Sequence, residues 1–573
     1  MNERDPHCIL DIEGSIEEEI PSSREFDFGD QITVEAWVSS DSWRAEALAA
    51  LVSRWKPGNP FGPFDAFDAG STDGLNSTGY FGAVFDGRYV YFSPEQHNSL
   101  EQHAVVLRYD THGDFFDSGS YSAYDAQHTA GLETKGFYGA VFDGRHVYFV
   151  PRQCGSDYHS RLLRHDPRID FKDPAAWDAF DIGEAHSQQS AAFDGRFIYF
   201  SPGFSGDPST EDTLSSQVIR FDTQGEFKNS ESYTSADISD FLGPGAACFD
   251  GGAFDGRYAY FVPLMNGLVV RCDSRGEFAD RASWEGFDAR GLGMEMCVGA
   301  VFDGRYMYFV AYKGSVVVRF DIDGDFADRE SWEARDVAMI GGLDTGGFDG
   351  GFFDGRYVNF VPFVAESPEG DPFIHSNYLR YDTQGVFADR ESWQAADASH
   401  ASELYSVGYN GGAFDGRFFY AAPWRDNASR GQPGRAGVHG RVLRCDTVGT
   451  DGSFSLRYCD YGHNGGLCAA VPGPSFLVNT ERGVLSAAAH RDLDPGKHYL
   501  VGVYDGRKIG LYVDGALVAE REGTGKIQNN RIPVVVGRIQ GGAGRFHGDV
   551  QRVRISDIAR GGEWIGEIAR NSG

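Results

Sequence analysis

The chain has 573 residues, too many for one ordinary core, so two or more domains are expected. Its composition is 41% hydrophobic and 14% aromatic, with 75 glycines and 22 prolines, which excludes a disordered chain and leaves little room for long helices. A formal charge of −33, from 84 acidic against 51 basic residues, repels phosphate backbones and anionic membranes and so disfavours both as partners.

The first residues, Met1-Asn-Glu-Arg-Asp-Pro-His-Cys8, carry no apolar leader, and no stretch has the length and hydropathy of a bilayer span. The chain as given is therefore expected to be cytoplasmic, with export by another route as the alternative. Strand patterns follow at Thr33-Val-Glu-Ala-Trp-Val38 and Leu51-Val-Ser-Arg-Trp55.

From Phe81 onwards one phrase is written seven times: a small apolar run, then Phe-Asp-Gly-Arg, then an aromatic-rich strand. The copies of Phe-Asp-Gly-Arg begin at Phe85, Phe142, Phe193, Phe254, Phe302, Phe353 and Phe414. A period of about 50 residues with strand signals in each unit specifies a ring of blades or an array of sheets. In the first copy Phe81-Gly-Ala-Val-Phe85 is a strand suited to a crowded axis. Asp86-Gly87 is read as a two-residue hairpin loop with positive φ at both positions. Arg88-Tyr-Val-Tyr-Phe92, Val105-Val-Leu-Arg-Tyr-Asp110 and Tyr121-Ser-Ala-Tyr-Asp125 complete the unit. Fourth strands recur at Trp177, Tyr233, Trp284, Trp332 and Trp393, each with an Asp four residues on. Four antiparallel strands in each of seven units predict a β-propeller. Either Phe64-Asp-Ala-Phe-Asp68 or Leu456-Arg-Tyr-Cys-Asp460 closes the ring by completing a blade from the opposite end of the chain.

The order of phrases (Gly-Gly-Ala-Phe, Asp-Gly-Arg-Tyr, Arg-Tyr-Asp-Thr, Ser-Trp) resembles Kelch-type repeats, with the glycine pair complete at Gly251-Gly252, Gly350-Gly351 and Gly411-Gly412. That resemblance implies binding of proteins or sugars, with some oxidases among such propellers. The flanks do not share the repeat. The Thr33–Val38 strand, the pieces His498-Tyr-Leu-Val-Gly-Val-Tyr-Asp-Gly-Arg507 and Leu511-Tyr-Val-Asp-Gly515, and the closing Val550-Gln-Arg-Val-Arg-Ile555 together resemble a laminin-G-like, concanavalin-type jelly roll. The expected fold class is all-β, a seven-bladed propeller inserted into a β-sandwich. The expected domains are residues 1–56 and 474–573 for the sandwich and 57–473 for the propeller.

Eight cysteines show no CxxC spacing, which argues against zinc, and Cys272 and Cys445 fill an aromatic slot as reduced core residues. The seven Asp-Gly-Arg arginines, from Arg88 to Arg417, are read as structural partners of a strand aspartate in their own blade. Function is sought where the copies differ. Strand alternation puts the monotonous turns on one face of the ring and the variable second-to-third and fourth-to-first loops on the other. Candidate ligand-binding residues there are Asp73, Asn76 and Thr78 in the first inter-blade loop. Those in the second-to-third loops are His97, Tyr158, His159, Phe204, Tyr312, His375, Trp424 and Arg425, with exposed Trp424 beside Arg425 the sharpest. No HExxH, GxSxG, phosphate loop or dinucleotide fingerprint occurs, and no catalytic residue or metal ligand is assigned. Calcium is a candidate ligand, since inter-blade loops are rich in Asp and Gly and jelly rolls of this type often carry it. The expected function is non-catalytic recognition of a glycan or a protein surface. The alternatives are a carbohydrate-active hydrolase with an axial site and a structural hub in an assembly. Oligomeric state is left open.

Overall fold

The computed structural model describes residues 5–14, 18–40, 48–55, 63–97, 101–183, 186–206, 213–366, 372–426, 437–447, 452–459, 468–469, 473–489, 493–538, 546 and 548–571. Seven four-stranded antiparallel blades form a ring. The first runs outward through Tyr80–Phe85, Tyr89–Pro94, Val105–Asp110 and Tyr121–Asp125. The inner strands of the next five are Phe137–Phe142, His186–Phe193, Phe249–Phe254, Met296–Phe302 and Phe348–Phe353. The seventh blade contains Tyr409–Phe414, Phe418–Pro423 and Arg441–Asp446, and its outer strand is Phe64–Asp68, paired Leu443 to Ala66. Inner strands touch around the whole ring, the seventh against the first. Cys468–Ala469 pairs in parallel with both of those inner strands.

The repeated phrase explains the blade. Asp86 accepts hydrogen bonds from the backbone N–H of Arg88 (2.8 Å) and Tyr89 (2.7 Å) and from the Tyr91 hydroxyl (2.8 Å). The two-residue loop is Gly-Arg rather than Asp-Gly. The Asp86 N–H bonds the Tyr89 carbonyl, and positive φ falls on Gly87 but not on Asp86 or Arg88. Glycine at the first central position is the II′ pattern, which frees the aspartate to act as an acceptor. The arginine pairs with a strand aspartate at 2.6–2.9 Å in six blades: Arg88–Asp110, Arg196–Asp222, Arg257–Asp273, Arg305–Asp321, Arg356–Asp382 and Arg417–Asp446. In the second blade Asp166 is taken by Arg168 instead, at 2.6 Å.

A different arginine, on the third strand, stitches blade to blade. Arg108 lies over Tyr89 of its own blade (4.0 Å) and Phe171 of the next (4.2 Å). Arg164 with Phe227, Arg271 with Phe326 and Arg319 with Phe387 repeat the contact. At the closure Arg444 lies over Phe115 of the first blade at 4.2 Å and pairs with Asp65 of the borrowed strand at 2.5 Å. One side chain thus latches the last blade, the first blade and the strand that closes the ring.

The flanks form a sandwich of two six-stranded sheets. In one, Ile32–Ser40 lies between Asp549–Ser556 and Gly496–Tyr504. In the other, Leu48–Trp55 pairs with Gly452–Cys459, which pairs in turn with Gly473–Thr480. The strand containing Leu456 therefore belongs to the sandwich and does not close the ring. The chain re-enters the sandwich at Gly452, about twenty residues before the expected 474, because its alternating apolar residues Phe454, Leu456 and Tyr458 fill the sandwich core. At Gly502 the sheets approach closely: a Cβ there would lie 2.1 Å from the Phe476 ring. Helix Gly562–Asn571 covers one outer face, with Ile565 packed on Tyr499 and Val501. Among the described residues no helix is long and apolar enough to cross a membrane.

Candidate functional site at the propeller axis

Each inner strand carries a bulge at a residue with positive φ: Gly82, Gly139, Ser190, Gly251, Gly299, Gly350 and Gly411. The pairing register skips there, as between Tyr80 and Ala83 in the first blade. The residue just before each bulge forms an inner ring of Phe81, Tyr138, Gln189, Asp250, Val298, Asp349 and Asn410, all buried. The residue after each second strand's terminal Pro (Ala311 in the fifth blade) forms a second ring: Glu95, Arg152, Gly203, Leu264, Tyr312, Phe363 and Trp424. These are the positions at which the copies diverge most in chemistry. Phe81, Tyr138, Phe204, Leu264, Val298, Tyr312, Phe363 and Trp424 belong to a single apolar cluster that draws on all seven blades.

Aromatic faces meet closely here. Phe81 packs edge-on against Trp424 (4.2 Å between centroids) and Tyr138 (4.7 Å), and Tyr312 stacks on Phe363 at 6.3 Å. A chain of polar contacts crosses the same space. Arg152 donates to Glu95 Oε1 (2.6 Å) and to Gln189 Oε1 (3.2 Å). Gln189 Nε2 (3.4 Å) and the Tyr138 hydroxyl (3.0 Å) donate to Asp250 Oδ2. Asn410 Nδ2 donates to Asp349 Oδ2 at 2.7 Å. The remaining oxygens, Asp250 Oδ1, Asp349 Oδ1 and Asn410 Oδ1, are buried without a hydrogen-bond partner among the described residues. Burial pushes the Asp250 carboxyl up to about 8, against the opposing pull of Tyr138 and Arg152. Burial, with the charge of Asp250 added, holds Asp349 well above the usual carboxylate range. A cavity of about 750 Å³ opens over the seventh, first and second blades, lined by Phe81, Glu95, Arg152, Trp424 and Arg425 together with Gln102, Glu133, Lys135 and Cys154; Asp250, Asp349 and Asn410 do not line it.

Glycines set the height of the second ring. The carbonyls of Gly79, Gly136, Gly347 and Gly408 accept from the N–H groups of Glu95, Arg152, Phe363 and Trp424 at 3.0–3.1 Å. All four have φ between 66° and 80°. A Cβ on Gly408 would sit 1.6 Å from the Arg425 carbonyl oxygen. Gly408→Ala is expected to cost about 2–4 kcal/mol, from left-handed strain plus the forced shift of the Trp424 segment. Urea denaturation checks it beside Gly74→Ala, at a glycine with the same sign of φ (76°) whose Cβ would meet nothing within 4 Å.

Of the residues expected from the loops, Trp424 and Arg425 line this cavity, while Phe204 and Tyr312 pack on the axial apolar cluster. Trp424 is buried (3% exposed), not exposed as expected, because Phe81 and the Arg425 guanidinium at 4.7 Å cover its faces. His159 and His375 serve their own loops: one ring nitrogen faces a backbone carbonyl (Lys135, 2.8 Å; Gly346, 2.9 Å) and the other accepts a backbone N–H. His103 and His439 repeat that clamp, and burial lowers all four, His159 to about 4. His97 stacks on His103 at 3.9 Å, and Tyr158 is buried, stacked on Phe204 at 6.1 Å. Asp73 is occupied by the Ala123 N–H (2.9 Å) and by Lys172 (2.8 Å), while Asn76 accepts from Thr78 at 2.9 Å. Loop length thus led away from the ring residues. The signal that finds them is chemical variation at two fixed offsets in the repeat, before the bulge glycine and after the strand-ending proline. Among the described residues no group of three or more His, Cys, Asp and Glu side chains is arranged to hold a metal ion.

A second cavity, of about 410 Å³, lies between the turn face of the propeller and the sandwich. Of its three arginines, Arg417 and Arg444 are paired with Asp446 and Asp65, and Arg521 is the third.

Residues 433–566 match a family model described as the concanavalin A-like lectin/glucanases superfamily. That match takes in the late strands of the sandwich and not its early strands, 8–55, which join them by strand pairing. No curated protein matches the chain by sequence. Solved structures of similar shape include virginiamycin B lyase from Staphylococcus aureus, at 11% identity over 67% of this chain and 99% of that one (TM-score 0.40). A fungal alcohol oxidase of the AA5 family, in complex with copper, is similar at 10% identity over 78% and 96% (TM-score 0.41), and YjhT at 10% over 56% and 98% (TM-score 0.35). Likeness at this level carries no inference about the chemistry of this chain.

Proposed function

We propose that this chain is a recognition protein that binds a glycan in the axial mouth of its propeller. The observation that supports it is the meeting of aromatic faces and hydrogen-bonding groups at the two ring positions where otherwise uniform blades differ. Sugar rings present apolar faces for Phe81 at the cavity wall, and hydroxyls for Gln102, Lys135 and Arg152 beside it. The Kelch-like order of phrases supports reading residues 63–447 as a Kelch-like module carried in a loop of the sandwich. A glycan array, run with calcium and again with chelator, tests the reading. Binding that falls about tenfold in Gln102→Ala at unchanged melting temperature is the expected result, since Gln102 lines the cavity. A blank array together with a captured protein partner would move the function to protein recognition.

A hydrolase is the second reading, favoured by Asp250 and Asp349, two carboxyls at one axis with raised pKa values. Retaining and inverting glycosidases both need one carboxyl ionised beside one protonated. Burial raises both of these together rather than setting one apart from the other, which favours hydrogen-bonded recognition. Release of reducing sugar from an array-positive glycan, abolished in Asp250→Asn, would establish the hydrolase instead.

A further inference from the structure

The mouth holds two guanidiniums and a single buried carboxylate between them. Arg152 is neutralised by Glu95 at 2.6 Å. The Arg425 guanidinium lies over the Trp424 ring at 4.7 Å. Its Nε is buried and has no hydrogen-bond partner, and among the described residues it forms no ion pair. Its charge is felt by the same Glu95 that Arg152 already engages. A cation partly out of water with no counter-ion is costly, and the cost is recovered only when an anion arrives.

The nearby acids do not supply that anion. Asp250 and Asp349 do not line the cavity, and burial raises both carboxyls above the usual carboxylate range. Glu133 is engaged by Lys135 at 3.0 Å, and Glu101 stands on the exposed rim of the cavity. In a protein of charge −33 the cavity wall therefore balances Glu95, Glu101 and Glu133 against Lys135, Arg152 and Arg425, with Arg425 the cation that forms no ion pair among the described residues. A cation in a low-dielectric recess acts more strongly than one in water, and guanidinium geometry suits two-point contact with a planar carboxylate or a sulfate.

We infer that the glycan taken at the axial mouth is anionic, with Arg425 receiving its carboxylate or sulfate group. This rests on the glycan reading above and narrows it to a substrate class. Arg152 and Glu95 then act as a neutral pair that orients Gln189, and the aromatic faces take the ring of the charged sugar.

The test uses the full chain on an array holding uronate-, sialate- and sulfate-bearing chains beside their neutral counterparts, at low and at physiological salt. Expected binders are confined to the acidic members, weaken as salt rises, and lose at least tenfold in affinity in Arg425→Met. Glu95→Gln, which frees Arg152, is expected to strengthen binding of the same probes. Among the described residues the Arg425 side chain makes no hydrogen bond, so an unchanged melting temperature of Arg425→Met separates lost binding from lost fold. Carboxylated and sulfated members of the array tell the two anionic groups apart. Equal binding of neutral and acidic members, or an unaffected Arg425→Met, overturns the anionic assignment and leaves glycan recognition standing. Binding to no glycan at all overturns both.

Discussion

Trp332→Ala is expected to destabilise the propeller by about 3–5 kcal/mol, the range for an aromatic residue removed from a packed core. Trp332 is 1% exposed and is stacked on Phe287 of the preceding blade at 4.2 Å and 8°. Within its own blade it meets Phe320 (4.8 Å), Phe326 (5.3 Å) and Phe309 (5.7 Å), and its Nε1–H donates to the Phe326 carbonyl at 3.0 Å. Truncation opens a cavity at a blade-to-blade junction and leaves that carbonyl without its donor. Trp332→Phe keeps a ring and loses the donor, so a smaller cost of about 1–2 kcal/mol is expected. Urea denaturation followed by far-UV circular dichroism checks both. Equal costs for the two variants would mean that the hydrogen bond, not the packing, governs the site.

Arg152→Met is expected to cost about 3 kcal/mol, because it leaves the Glu95 carboxylate, 2% exposed, without its partner. The double variant Glu95→Gln/Arg152→Met is expected to recover most of that loss by removing the stranded charge. The pH dependence has a definite sign. Burial raises Glu95 above the ordinary glutamate value, and Arg152 opposes the shift. Without Arg152 the folded-state pKa climbs further. Its penalty is then absent below the unfolded glutamate value, near 4.3, and grows as pH rises through the folded one. The single variant should therefore approach wild-type stability toward pH 4 and diverge from it at pH 7. A difference from wild type that does not vary with pH would remove Glu95 from the explanation.

The blades were legible because one phrase encodes turn, strand and inter-blade contact together, and seven copies fix the period. Ring closure was undecided between two segments that alternate equally well, although the answer lay in the residues. Phe64-Asp-Ala-Phe-Asp68 matches Trp177-Asp-Ala-Phe-Asp181, the outer strand of the second blade, at four of five positions. Leu456 to Cys459 has no such counterpart and goes to the sandwich. The turn departs from expectation because Asp-Gly has a strong intrinsic preference for one loop type, while Asp86 has three donors to accept from and holds a position just outside the loop. The binding mouth was only half legible. Long loops drew attention to His159 and His375, whose ring nitrogens are consumed by backbone. The bulge glycines, whose signal in the sequence is only that of small residues, are what turn Asp250, Asp349 and Asn410 toward the axis.

The pairing of Cys8 with Ser556, and of Ile32–Ser40 with both Gly496–Tyr504 and Asp549–Ser556, has a consequence in time. The propeller holds all its blade strands once Asp446 has left the ribosome, and its closing strand, Phe64–Asp68, is made before the first blade. The apolar strand Ile32–Ser40, by contrast, waits for partners some 500 residues away, about half a minute to a minute and a half at 5–20 residues per second. At the end of that interval it is an open edge beside a ring whose strands are all made, and a nascent chain stalled anywhere between residues 447 and 496 would present the propeller strands with an unpaired apolar strand. The stretch from residue 447 to Ser556 is thus the part of synthesis in which every blade strand exists and Ile32–Ser40 still lacks one or both of its partners.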